Sequence, residues 1–306
     1  MVRKRQRARP ELTSLFDEAD PLSLQTYEKT LKAHLDEYRR GRLGGVESGV
    51  LLANGVERPY GHILPTKLQW LNILEPFRAE VMQYQTANAL RLHRYFHHLN
   101  STQAFSFNLF IPLFRHAPEK LASVLSTPAV LSLQLEQCAD PEERSLVDVQ
   151  WLTDESTCVH CEVKLSETDF EMTDGIGRNP RKLEESYRPV LERYVSASLW
   201  DEKGARFYEF YHVYQNLWLA SRSGHEHDEV RFLLPRANET LVEKFNEAMS
   251  LVGPALRART RTIYVEDVLR QLAGSPETAW YGRLLEEKYV PTSQAGAGPF
   301  ESITPS

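Results

Sequence analysis

Between Ser145 and Glu167 the chain reads SLVDVQWLTDESTCVHCEVKLSE. Two runs rich in Val, Leu and Trp flank TDES, whose residue types favour a turn, so the stretch predicts two strands joined tightly. Charges interrupt both runs. Asp148 stands between Val147 and Val149, and Glu162 and Lys164 stand on either side of Val163. A charge inside a strand is costly unless it is paired or binds a metal. Side chains two apart on a strand share a face. Glu162 and Lys164 therefore point one way, and Cys161, Val163 and Leu165 point the other, toward a core. With the turn at Asp154–Glu155, Asp148 falls close to Glu162 across the hairpin. One spot on a sheet then holds two carboxylates and an ammonium.

Carboxylates that close repel each other, and a hard cation relieves the repulsion. Mg²⁺ takes oxygen ligands, and the Val163 carbonyl lies between the two side chains as a further donor. Lys164 would orient or help deprotonate a water, or stabilise charge on a phosphorane-like transition state. Such parts suit hydrolysis of a phosphodiester. The plainer alternative is a salt-bridge cluster on a solvated sheet face.

The rest of the chain gives this hairpin its setting. Residues 1–20 are polar and form a basic flexible arm, with Arg3 to Arg9 able to hold nucleic acid non-specifically or simply to aid solubility. Residues 21–98 form a mainly helical N-terminal region. Leu24, Tyr27, Leu31, Leu35 and Tyr38 make one helical stripe. Residues 45–65 read as short strands and turns, and 66–98 as a second helical stretch broken at Pro76. LNSTQAFSFNLFIPLF predicts the next helix, with Asn100 or Ser101 as its cap and with Gln103 and Asn108 in need of partners among aromatics. PAVLSLQLEQ alternates like a strand. ARFYEFYHVYQNLWLASR reads as one amphipathic helix with Phe207, Phe210, Tyr211, Tyr214 and Trp218 on a stripe. DEVRFLLP and TRTIYVED read as strands, and a helix spans 239–252. The order implies an α/β domain over 99–290, a mixed central sheet flanked by helices, followed by a flexible tail at 291–306.

Asp148 and then Glu162-Val163-Lys164, in the order helix, three strands, helices, strand, resemble the PD-(D/E)XK nuclease superfamily with its restriction-endonuclease-like fold. YGHILP, HRYFHHLNSTQAFSFNLFIPL and CEVKLSETDF together resemble a bacterial endonuclease-like group within it, over most of residues 55–235. The resemblance implies that Asp148 and Glu162 bind Mg²⁺ or Mn²⁺ and that Lys164 assists the attacking water. It also implies a role for a Gln on the helix after the E-x-K strand, which Gln215 matches. The acid that the superfamily often carries on its first core helix is missing here, with Glu136 on the preceding strand as a candidate substitute. Val147 stands where the motif's Pro would be. Arg178, Arg181 and Lys182 follow the motif strand and would contact phosphates.

Other constellations carry less. His93 and His97 are four apart in a predicted helix, a spacing that metal-binding histidines use, but packing explains them as well. Cys158-Val-His-Cys161 has half a zinc-knuckle pattern, yet on a strand its cysteines face opposite ways. His225-Glu-His227 falls in a predicted loop. GIGR is too short for a phosphate-binding fingerprint.

Three cysteines make no even disulfide framework, as expected of a reducing cytoplasm. No apolar run reaches the ~20 residues of a membrane helix, and no apolar segment follows the basic N-terminus, so secretion by a signal peptide is not expected. A net charge of −6 argues against a uniformly basic nucleic-acid binder but not against a local basic cleft. The expected function is a Mg²⁺- or Mn²⁺-dependent nuclease, acting on DNA by family analogy, in restriction, repair or defence, and compatible with a homodimer. The alternatives are an inactive nucleic-acid-binding module that keeps the fold, or a scaffold that uses the N-terminal helices as its partner surface.

Overall fold

A computed structural model describes residues 27–53, 56–140, 145–171, 179–222, 224 and 227–291. Residues 1–20, Leu24, Arg178, His225 and the tail beyond 291 lie outside the described residues. The first described helix, Tyr27–Arg42, buries Leu31 and Leu35 from the predicted stripe. A small antiparallel hairpin follows, β1 (Gly49–Ala53) and β2 (Val56–Tyr60).

The second helical stretch is shorter than its sequence suggests. Short 3₁₀ segments cover Thr66–Asn72, kinked at Leu68, and Glu75–Phe77, and an α-helix runs only from Arg78 to Ala87. Pro76 sits in the turn just ahead of that helix. Residues 88–101 are not helical, because their backbone bonds elsewhere. Leu64 N–H donates to His97 C=O at 3.0 Å, Leu99 N–H donates to His62 C=O at 2.8 Å, and Ile63 bridges His98. His93 and His97 therefore do not share a helix face.

The next helix, Thr102–His116, is capped by Ser101, whose side chain accepts the Ala104 N–H. Asn100 turns instead to Ser166 Oγ, 2.8 Å away. Asn108 finds its partners in the helix interior: it accepts the Leu74 N–H at 2.8 Å and donates to Asn72 C=O and the Tyr289 hydroxyl. A short helix, Pro118–Val124, leads into the main sheet.

That sheet has five strands in the order β3 (Val130–Asp140), β4 (Ser145–Thr153), β5 (Cys158–Val163), β6 (Glu229–Leu234) and β7 (Thr260–Tyr264). β3, β4 and β5 are antiparallel neighbours, whereas β6 and β7 continue parallel to β5. The strand that carries Glu162 is thus central and covered on both faces. One face packs Val149, Trp151, Cys161 and Val163 against Phe105 and Phe110. The other packs Val230 and Phe232 against Tyr214, Leu217 and Phe245.

The crossover from β5 to β6 holds the helical segments Pro180–Leu191 and Asp201–Leu219. The predicted single helix over 205–222 is two, Asp201–Glu209 and Tyr211–Leu219, parted at Phe210 with φ −114° and ψ 36°. The TRTIYVED segment likewise changes midway: its strand stops at Tyr264, and a helix opens at Val265. No helix among the described residues is long and apolar enough to cross a membrane.

Candidate active site

The hairpin register brings the acidic side chains together. Val149 pairs with Cys161, so continuing by one residue sets Asp148 opposite Glu162. On the other side of β4, Leu135 pairs with Val149 and Gln137 with Val147, which sets Glu136 opposite Asp148. Three carboxylates from three adjacent strands thus lie in a row. Glu136 holds φ at 52°, in the left-handed region that side-chain-bearing residues seldom adopt.

The β4–β5 ladder ends at the Val149–Cys161 pair. Beyond it, β4 continues with β3 and β5 continues with β6, so the strands fork at this point. The Val163 N–H at the fork donates to Asp148 Oδ2 at 2.8 Å, which replaces a ladder bond with a carboxylate. Lys164 follows the strand directly, held by its N–H on Leu233 C=O at 3.0 Å. Its ammonium lies 3.0 Å from Glu162 Oε1 and 5.7 Å from the centre of the Phe170 ring.

Glu162 is buried and has two further partners, both on the Tyr211–Leu219 helix. Asn216 donates to its Oε2 at 2.9 Å, and His212 Nδ1 stands 3.6 Å from its Oε1. These residues are one helical turn apart and so share a face. The Asn216 side-chain oxygen, Oδ1, is buried with no hydrogen-bond partner among the described residues. Gln215 was expected on this face. Its amide donates instead to the Tyr211 hydroxyl at 2.9 Å, because it lies one residue, about 100° of helix, away from Asn216.

The electrostatics follow from this crowding. Burial, and then the charges of Glu162 and Glu136, hold Asp148 well above the usual carboxylate range. Burial also pushes Glu136 up to about 7, with Glu162 adding to the rise and a hydrogen bond from Gln103 opposing it. Burial acts on Glu162 in the same direction, but Lys164 and His212 outweigh it and leave its pKa lowered. For Lys164, burial disfavours the charge, yet Glu162, Glu167 and Asp148 prevail and raise its pKa. Burial, followed by Lys164, lowers His212.

The donor set fits a hard divalent cation. Every ligand candidate in the row is an oxygen, and a cation would offset both the burial and the mutual repulsion that raise Asp148 and Glu136. For Val163, the hydrogen bond at the fork runs through its N–H, and its carbonyl lies between Glu162 and Lys164 in the chain.

Some residues that shape the site escaped the sequence reading. Asn216 and His212 were missed although they form a His-x-x-x-Asn spacing on an otherwise apolar helix. Glu167 was missed too. Its carboxylate accepts the N–H groups of Leu165 and Ser166 at 2.7 and 2.9 Å and the Thr102 hydroxyl at 2.5 Å, which fixes the turn after Lys164.

Two of the predicted phosphate contacts have partners of their own. Arg181 is exposed and pairs with Glu185 at 2.9 Å, and the Lys182 ammonium stands 5.7 Å from the Tyr187 ring.

One family model matches residues 26–290 of the chain, and that family is described as Restriction Endonuclease associating with ARP. No curated protein matches the chain, and no solved structure does.

Proposed function

The chain belongs to this restriction-endonuclease family, and from that premise we propose that it is a metal-dependent nuclease that hydrolyses phosphodiester bonds, with DNA as its substrate. The observation that carries the proposal is the row Glu136, Asp148 and Glu162 with Lys164 bonded at its end. Asp148 and Glu162 would hold Mg²⁺ or Mn²⁺, with the Val163 carbonyl and Glu136 as further donors. When bound, the cation supplies charge neutralisation at the phosphate and a lower pKa for the attacking water.

The chain's own groups do the rest. Lys164 is buried among carboxylates that raise its pKa, so it enters the reaction as a cation. It therefore orients the nucleophile by donating a hydrogen bond, or stabilises negative charge on the phosphorus oxygens, rather than acting as a base. Asn216 and His212 act as positioning residues. They hold Glu162 in one orientation from the far side, so that its carboxylate faces the fork. Arg181 and Lys182 would steer the backbone of the nucleic acid. The ion pair of Arg181 with Glu185 is of the exposed kind worth little, so a phosphate can replace it. A homodimer would place two such forks on the two strands of a duplex. Restriction, repair and defence are the settings that suit this chemistry.

The test is cleavage of supercoiled plasmid, linear duplex and single-stranded DNA with Mg²⁺, Mn²⁺ or EDTA, by the wild type and Lys164→Ala. The proposal predicts metal-dependent cleavage that falls about 100-fold or more in the variant. DNA retained without cleavage by the wild type, with metal bound, would favour the inactive binding module.

A further inference from the structure

The face of β5 that carries Glu162 holds two more polar side chains nearer the strand's beginning, Cys158 and His160. They are two and four residues before Glu162, so the strand period aligns all three. β6 runs parallel to β5, with Val159 beside Glu229. Continuing that register back by one residue brings Asp228 beside Cys158. The Cys158 sulfur, a His160 ring nitrogen and an Asp228 carboxylate oxygen all lie within 4.8 Å of one another. His160 Nε2 is 3.4 Å from Asp228 Oδ2, and both residues are buried. Cys158 is half-buried and reachable by solvent.

We propose that Cys158, His160 and Asp228 form a zinc-type metal site, separate from the acidic fork and occupied by a softer ion. Four features carry this inference. The donors are one sulfur, one nitrogen and one oxygen, a set that selects Zn²⁺ or a similar transition metal over Mg²⁺. A thiolate and a carboxylate together cancel the charge of a divalent ion, so the occupied site is neutral in a buried place. One pair already stands at ligand spacing: His160 Nε2 and Asp228 Oδ2 are 3.4 Å apart, where ligands about 2.0–2.3 Å from zinc in a tetrahedron stand roughly 3.3–3.8 Å from one another, and the sulfur lies within 4.8 Å of the other ligand atoms. Finally, the imidazole has unused capacity, since His160 Nδ1 is buried without a hydrogen-bond partner among the described residues.

Burial holds the Cys158 thiol above its usual range, and the Gln150 Nε2, 2.7 Å from the sulfur, opposes that by donating a hydrogen bond to it. Binding releases the thiol proton to solvent, breaks the His160–Asp228 hydrogen bond and leaves the imidazole proton on the ring nitrogen that does not bind; one metal–sulfur, one metal–nitrogen and one metal–oxygen bond form in exchange. The open side of Cys158 leaves the fourth position to water. Such an ion ties the start of β5 to the residue that leads into β6, the two parallel strands at the centre of the sheet. It acts as a clamp on the strand that presents Glu162 and Lys164.

The experiment uses the full chain stripped of metal and kept in excess Mg²⁺, so that the oxygen site does not compete. Zn²⁺ is titrated against a chromophoric chelator, and Co²⁺ is followed by its absorption. The wild type should take up one Zn²⁺ per chain and should show a sulfur-to-cobalt charge-transfer band. Cys158→Ser should lose that band, and Cys158→Ser and Asp228→Asn should each weaken Zn²⁺ binding by at least about tenfold. Glu162→Gln should leave both signals unchanged. Absence of stoichiometric Zn²⁺ uptake, or a wild-type cobalt spectrum without the thiolate band, would overturn the proposal and leave a hydrogen-bonded His–Asp pair beside a thiol. Both are read on the wild type, so the proposal stays falsifiable even if a variant fails to fold.

Discussion

At the residue scale, the charges that broke the apolar runs were the legible part of the site. Asp148, Glu162 and Lys164 stand out in sequence because each occupies a position where a strand ordinarily buries Val or Leu. The structure places them around the end of the β4–β5 ladder. Asn216 was harder to see. The resemblance pointed to the neighbouring Gln215, and an otherwise apolar helix does not mark which of its two adjacent amides turns toward Glu162. Two predictions belong here. Asn216→Ala removes a hydrogen bond to a buried carboxylate, worth ~1.5–3 kcal/mol, so cleavage should fall about 10- to 100-fold. Gln215→Ala should stay within about tenfold of the wild type in the same assay, since it loses only its bond to Tyr211. The second concerns protons. Burial and then Glu162 push Glu136 up to about 7, so below that pH a divalent cation must displace a proton to use this carboxylate. Mg²⁺ affinity measured by calorimetry should rise with pH through about 7, where Glu136 sheds its proton. Glu136→Gln should remove that step.

At the element scale, the strands were easier to predict than the segment over residues 88–101. The strands carry their signal in a local alternation of side chains. That segment instead takes its shape from distant partners: the backbone of His62 and Leu64, the Asn72 amide on Phe96 and His98 C=O, and Gln103, which bonds His93 N–H and Arg91 C=O. No periodicity records such bonds. Asn108 was visible as a polar residue needing partners, but which ones only the packed helix reveals. Asn108→Ala would leave the Leu74 N–H and the Tyr289 hydroxyl without their partner in the core, so it should destabilise the fold by about 2–4 kcal/mol in urea titrations. Acid should loosen the neighbouring histidine-rich segment. Burial and then nearby Lys32 lower His62 from 6.5 to about 4; burial and then His97 lower His98 to about 3. The unfolded chain binds protons on these rings near pH 6.5, while the folded chain resists. The stability they contribute is therefore complete above about 6.5 and drains away as pH falls toward 4 and 3. Each contributes a slope of up to about 1.4 kcal/mol per pH unit. Denaturant midpoints between pH 7 and 4 should show this acid limb, and His98→Gln should flatten it.

At the scale of the whole molecule, the order helix, three strands, helices, strand was enough to imply a mixed sheet, because each connection permits few topologies. The reach of the N-terminal region was not legible in the same way. Leu31, Leu35, Leu64 and Phe96 belong to one apolar cluster with Phe105, Trp151, Leu285 and Tyr289, joining chain segments far apart in sequence. A chain begun at residue 99 would expose that face of the cluster, and it should lose the cooperative urea transition of the full protein. The same sheet face that depends on this packing backs the strand that presents Glu162, so fold and chemistry converge on β5. The most direct measurement is the rate of Mg²⁺-dependent plasmid cleavage by Glu162→Gln beside the wild type, with matched thermal melts for the two proteins. A loss of about 100-fold or more with the melt preserved is the result expected. Cleavage by the variant at the wild-type rate would contradict a nuclease centred on this fork.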